Sequence, residues 1–169
     1  SVIGRAIPNA SMAPTSQTIC PGTSASITID LNPGTGPFNI GYTDGVSNFS
    51  ATGLNTGDAV SVSPTLSPTI YSFTTLTDFY GCTRTTGFTS GASVTIVPNI
   101  TYNSVTSTEV LCNGGNTGTI TVNAQGGNGG LTYSVDSGVT YQSSNIFTGL
   151  VVGTYYVFVQ DNFGCIQPY

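Results

Sequence analysis

The chain of 169 residues has no histidine, no tryptophan and no lysine, and its only cations are Arg5 and Arg84. Charged residues make up 5% of it, against roughly a quarter in an ordinary globular domain. Without histidine there is no imidazole base, no Ser-His-Asp or Cys-His pair and no His-ligated zinc. Without lysine there is no Schiff base, no Walker-type phosphate clamp and no Lys-Asn isopeptide cross-link. The chain is therefore expected not to be an enzyme. A net charge of −5 repels phosphate backbones, so no nucleic-acid partner is expected. No apolar run reaches the roughly 18 residues that a spanning helix needs, and Ser1 to Ala10 lacks the apolar core of a signal peptide. An interior or processed piece of a secreted protein is the expectation.

What is present is a duplication. Asp78-Phe79-Tyr80-Gly81-Cys82 returns as Asp161-Asn162-Phe163-Gly164-Cys165, each closing a run of Thr, Val and aromatic residues. Upstream, Thr18-Ile19-Cys20-Pro21-Gly22 answers Val110-Leu111-Cys112-Asn113-Gly114, and Ser26-Ile27-Thr28-Ile29 answers Thr119-Ile120-Thr121-Val122. Cys20 and Cys112 are 92 residues apart, a repeat of domain size. The expected boundaries are 1–8 for the end of a preceding repeat or leader strand, 9–98 for a first domain and 99–169 for a second. Pro8-Asn9 and Pro98-Asn99 would be stiff joints between them.

Short β-branched and aromatic runs, broken by Gly, Pro, Asn and Asp at intervals of roughly 8–12 residues, predict β-sandwiches, and no segment carries helical periodicity. The fold class read from the sequence is all-β: two tandem Ig-like β-sandwich domains, each with one intradomain disulfide. Strands are expected at 25–31, 38–43, 46–51, 59–63, 69–78 and 92–97. In the second copy they are expected at 117–124, 131–136, 138–142 and 153–160, with a closing strand like that at 92–97, expected after Cys165, missing. Of the three ways to pair four cysteines, only Cys20–Cys82 with Cys112–Cys165 keeps each bridge inside a repeat and treats both copies alike. Each bridge would add about 4 kcal/mol by chain entropy. The alternative is four reduced thiols in a cytosolic protein.

Three motifs carry a family resemblance: Cys-Asn-Gly-Gly-Asn-Thr-Gly-Thr-Ile-Thr-Val at 112–122, Gly-Gly-Asn-Gly-Gly-Leu-Thr-Tyr-Ser at 126–134, and Gly-Thr-Tyr-Tyr-Val-Phe-Val-Gln-Asp-Asn-Phe-Gly-Cys at 153–165. In this order they resemble the SprB-type repeat of Bacteroidetes surface proteins, and the first copy resembles a related Ig-like (PKD-like) repeat. The resemblance implies part of a giant cell-surface adhesin, exported by a type IX route and used in surface adhesion and gliding motility, with the repeats serving as stalk. It implies no catalytic residues.

Few residues stand out as sites. Asp78 and Asp161, at the two strand ends, are candidate Ca²⁺ ligands, set against a plainer role as acceptors of backbone N–H bonds in their turns. Tyr155, Val157 and Val159 share one strand face and Tyr156 and Phe158 the other. Tyr156 and Phe158, with Tyr141 beside them, are the candidates for a glycan contact or a contact with a neighbouring domain. The expected partners are neighbouring repeats of the same long chain and surface polysaccharide. Competing with a stalk are a lectin-like module and a fibre subunit that receives its last strand from another copy.

Overall fold

The computed structural model describes residues 4–112 and 114–169, and among them the fold is all-β, with no helix. The chain divides into two compact units, Ser1–Ile96 and Val97–Tyr169. Part of the leader strand expected over Ser1–Ile7 lies outside the described residues. From Gly4 to Asn9 the chain forms no strand.

Unit 1 is a sandwich of two sheets. Its strands are β1 (Ala10–Ala13), β2 (Ser16–Ile19), β3 (Ala25–Leu31), β4 (Phe38–Thr43), β5 (Asn48–Leu54), β6 (Ala59–Val62), β7 (Thr69–Thr77), β8 (Thr83–Arg84) and β9 (Gly91–Ile96). One sheet runs β1-β3-β6; the other runs β2-β9-β7-β4-β5, with β8 also on β7. Alternation builds the core. Ala25, Ile27, Ile29 and Leu31 of β3 all point inward, against Ile40 and Tyr42 of β4, Tyr71, Phe73 and Leu76 of β7, and Val94 of β9. Each such side chain, fully buried, contributes about 1.5–3 kcal/mol. The inward phase on β7 slips between Phe73 and Leu76, where the register against β4 shifts at Gly41/Tyr42. An extra residue in one strand of an antiparallel pair has this effect.

Between the Pro8-Asn9 joint and Cys20 lie two strands on two different sheets. β1 pairs antiparallel with β3, then the chain crosses over and β2 runs parallel to β9, Ile19 facing Ile96.

Unit 2 repeats this plan with fewer strands: β10 (Thr101–Thr108), β11 (Gly118–Gln125), β12 (Leu131–Ser134), β13 (Ile146–Leu150), β14 (Phe158–Asp161) and β15 (Ile166–Pro168). Its sheets run β10-β11-β13 and β12-β14-β15. By position in sequence and pairing, β11 matches β3, β13 matches β6, β12 matches β4, β14 matches β7 and β15 matches β8. The buried core is Ile100, Ile120, Val122, Val157 and Val159, with Tyr102, Leu131, Tyr133, Phe147 and Leu150 packed on it.

Two expected strands of unit 2 differ in the structure. In place of a strand over 138–142 there is a single bridge, Tyr133 to Gln142, where unit 1 has β5. The strand expected over 153–160 is regular only from Phe158. The reason is pairing. In unit 1 the first half of β7 is held by β9, Thr69 facing Val94. Among the described residues of unit 2 no strand takes the place of β9, so β10 stays on β11 along its whole length and 152–157 has no full ladder. The space that β9 would fill is a groove of about 590 Å³, lined by Val105, Val110, Ile120, Leu150, Tyr155 and Val157 among others.

Candidate functional site

The duplicated turn is built the same way twice. Asp78 Oδ1 accepts the backbone N–H groups of Tyr80 (3.0 Å) and Cys82 (2.9 Å). Asp161 Oδ1 accepts those of Phe163 (2.9 Å) and Cys165 (2.9 Å). In each, the aspartate N–H donates to the carbonyl of the cysteine four residues on, at 3.1 Å. Gly81 and Gly164 take φ of 81° and 95°, a conformation that costs an L side chain and costs glycine nothing. Asp161 also reaches across its unit, its Oδ2 accepting the N–H of Asn128 at 2.8 Å. Gly127 makes this approach feasible, since a Cβ there would lie 2.8 Å from Cβ of Asp161. Both carboxylates are buried, Asp161 with both oxygens and Asp78 with Oδ1 accepting backbone N–H groups. Among the described residues no three Cys, Asp or Glu side chains gather as a metal would need.

These turns fix where the cysteines lie, and the pairing expected from the sequence is not the one found. Cys82 and Cys112 are free thiols, so neither Cys20–Cys82 nor Cys112–Cys165 forms. Cys20 and Cys165 are each disulfide-bonded. Strand direction is the reason. β2 is parallel to β9 and β9 antiparallel to β7, so Cys20, after the end of β2, lies level with the start of β7. Cys82 lies past the other end of β7, opposite Asp78. Roughly ten residues of strand at about 3.3 Å each separate the two levels, about 30 Å, whereas a bridge spans at most about 7 Å between Cα atoms.

Unit 2 obeys the same geometry. Cys112 sits in the loop beyond the Thr108–Thr119 pair of β10 and β11, while Cys165 sits at the Asp161 end of β14, next to Gly127 and past the far end of β11. Each unit therefore has a loop pole, with Cys20 or Cys112, and a turn pole, with Cys82 or Cys165.

The candidate contact residues lie around the turn 136–138. Val157 and Val159 face the core with Tyr155 packed on it, whereas Tyr156 is 62% exposed and Phe158 half-buried. Tyr156 is tied by backbone bonds to Val135 and Ser137. Beside Gly138 lie the Tyr141 hydroxyl and the Phe158 ring, 2.9 and 3.8 Å from where a Cβ would stand. The Tyr141 hydroxyl is buried with no hydrogen-bond partner among the described residues, and burial first, then the Asp136 charge, pushes its pKa up.

Asp136-Ser137-Gly138 is a turn signal in the sequence, and the Asp136 side chain builds that turn. Its Oδ1 accepts from Ser134 Oγ (2.6 Å) and the Thr140 N–H (2.9 Å), and its Oδ2 accepts from Thr140 Oγ1 (2.6 Å). Those donors, Ser134 foremost, hold its pKa at about 2. The site thus presents one fixed exposed carboxylate beside aromatic rings.

Residues 104–140 match the family model of the SprB repeat. The match runs from within β10 through β11 and β12 to the Asp136 turn, and it supports the SprB-type repeat read from the motifs at 112–122 and 126–134. No curated protein matches the chain. Among the described residues no helix is long and apolar enough to cross a membrane.

Two outcomes are expected. Replacing Asp161 with alanine orphans the N–H groups of Phe163, Cys165 and Asn128 and should cost about 1–3 kcal/mol for each buried donor left unpaired. A denaturant titration that follows unit 2 measures this, and an unchanged midpoint would show that the turn holds without its carboxylate. The Asp136 bonds stabilise the folded state fully above the ordinary carboxylate range and are lost as pH falls through about 2, because the folded pKa is the lower one. The Thr140 amide resonance should titrate near that pH in the native chain and not in Asp136→Asn; a midpoint near 4 would contradict it.

Proposed function

We propose that this chain is a segment of the stalk of a large bacterial cell-surface adhesin, serving surface adhesion and gliding motility. The SprB repeat at 104–140 carries this proposal. Polarity of the chain path supports it. In unit 1 the chain enters at the turn pole, where the Asn9 N–H donates to the Pro33 carbonyl and Arg84 Nε to the Pro8 carbonyl. It leaves at the loop pole, past Ile96 beside Ile19. In unit 2 it enters near Asn99, whose carbonyl lies against Gly126, and β15 then runs from the Asp161 end of β14 back toward Phe158. A sandwich entered at one pole and left at the other passes tension along its strands, as a stalk must.

The composition suits the same role. With two cations and seven carboxylates the surface relies on Ser, Thr, Asn and Gly for solubility, and it carries no imidazole, the side chain whose ordinary pKa lies nearest neutral. An antibody against the chain should label unpermeabilised source cells, in patches that travel as the cells glide. Label confined to lysed cells would remove the proposal, and label fixed on the surface would remove its motility part.

A second role has one observation in its favour: Tyr156, Phe158 and Tyr141 around the Asp136 turn make an aromatic and acidic surface of the sort that packs on the face of a sugar ring. Unit 2 would then bind surface polysaccharide as well as carry load. Binding to a glycan array that Tyr156→Ala abolishes is the expected result, and a blank array ends it.

A further inference from the structure

We infer that Cys82 and Cys112 are the two halves of a disulfide that joins one repeat pair to the next, the turn-pole cysteine of one copy bonding the loop-pole cysteine of another. The inference rests on the repeat-stalk proposal for its partner, a second repeat of the same kind, and on the structure for its chemistry.

Three observations carry it. First, the poles lie about 25–30 Å apart, so neither free cysteine can close on the other cysteine of its own unit. Second, one cysteine of each kind is already engaged. Cys20 and Cys112 occupy matching places in the two repeats, as do Cys82 and Cys165, and Cys20 and Cys165 are both disulfide-bonded. A loop-pole and a turn-pole cysteine of this repeat are thus each suited to a bridge, and the unused member of each kind is free.

Third, both free thiols have exposed apolar neighbours, Cys112 being exposed itself and Cys82 half-buried. In the same turn as Cys82 stand Phe79, 63% exposed, and Tyr80, whose ring packs edge-on against Phe79 and carries the Arg5 guanidinium over one face, 3.4 Å from its centroid. Beside Cys112 stand Leu111, 83% exposed, with Val151 and Val152 exposed at the same pole and Val110 lining the groove with them. Single exposed apolar residues are ordinary. A group of them beside a thiol, at the turn pole of unit 1 and at the loop pole of unit 2, gives each free cysteine an apolar face for a second copy to cover.

The bond needs an oxidant, and a small disulfide such as oxidised glutathione supplies it. The Cys112 thiol gives its proton to water and its thiolate attacks the small disulfide, forming a mixed disulfide and releasing one small thiolate. The Cys82 thiolate of the second copy attacks the protein sulfur of that mixed disulfide and releases the second small thiolate. Two protein thiols are oxidised, one small disulfide is reduced to two thiols, and the two protons end on the released thiolates. Joined this way, a row of repeats carries load through covalent bonds at every junction.

The test uses the purified chain, concentrated in a glutathione redox buffer, quenched by alkylation and resolved on a non-reducing gel. A ladder of dimers, trimers and higher multimers is expected. Chymotryptic peptides should show Cys82 linked to Cys112 in about tenfold excess over either like pair, where random collision gives about twofold. Cys82→Ser and Cys112→Ser should each stop the ladder, and a mixture of the two variants should give dimers only. A ladder that persists in either variant, like and mixed pairs in random proportion, or no multimers at all would overturn the inference. Surface labelling of cells decides the stalk proposal separately, because the purified chain cross-links or fails to whatever its location.

Discussion

Strand direction is the constraint on which the rest of the structure depends. In unit 1, β2 runs with β9 and both run against β7, so a residue that follows β2 and a residue that follows β7 are driven to opposite poles. The Asp-locked turn then holds the second of them in place. A buried carboxylate accepting two backbone N–H groups costs little, because its charge is matched by donors that would otherwise be orphaned at the strand end. The same device in unit 2 adds a third donor, from Asn128, and so ties β14 to the loop that leads into β12. The cysteines are passengers on this frame.

The all-β class and most strands of unit 1 were legible because β3, β4 and the first half of β7 alternate and are separated by Pro- and Gly-rich loops. The Asp turns and the core-facing side of the last long run, Val157 and Val159, were legible for the same reason. Less legible was anything that depends on a partner strand. Tyr155 to Phe158 has strand-forming residues, yet a ladder needs a neighbour, and the described part of unit 2 offers 152–157 little beyond the bridge at Tyr156. β13 was overlooked because Ile146-Phe147-Thr148-Gly149-Leu150 is short and holds a glycine at φ 73°. The cysteine pairing misled most: symmetry between the copies favoured bridges within each repeat, and symmetry carries no information on which pole each cysteine occupies. Register does, and register lies in the fold.

Under the proposed stalk role, these features form one design. Units with a turn pole and a loop pole are directional. Their surfaces are nearly free of charge, which leaves Ser, Thr, Asn and Gly to keep them in water and limits salt-sensitive contacts between neighbours. Unit 2, with its smaller core and the groove beside Tyr155, is pinned by hydrogen-bonded turns at Asp136 and Asp161, as unit 1 is at Asp44 and Asp78.

The central claim is that the two cysteines of each repeat stand at opposite poles, and disulfide mapping of the purified, oxidised chain under thiol-blocking conditions tests it most directly. The account predicts that no peptide links Cys20 to Cys82 or Cys112 to Cys165. Either peptide in quantity would contradict it, because a bond between residues some 25–30 Å apart would require strand directions other than those described here.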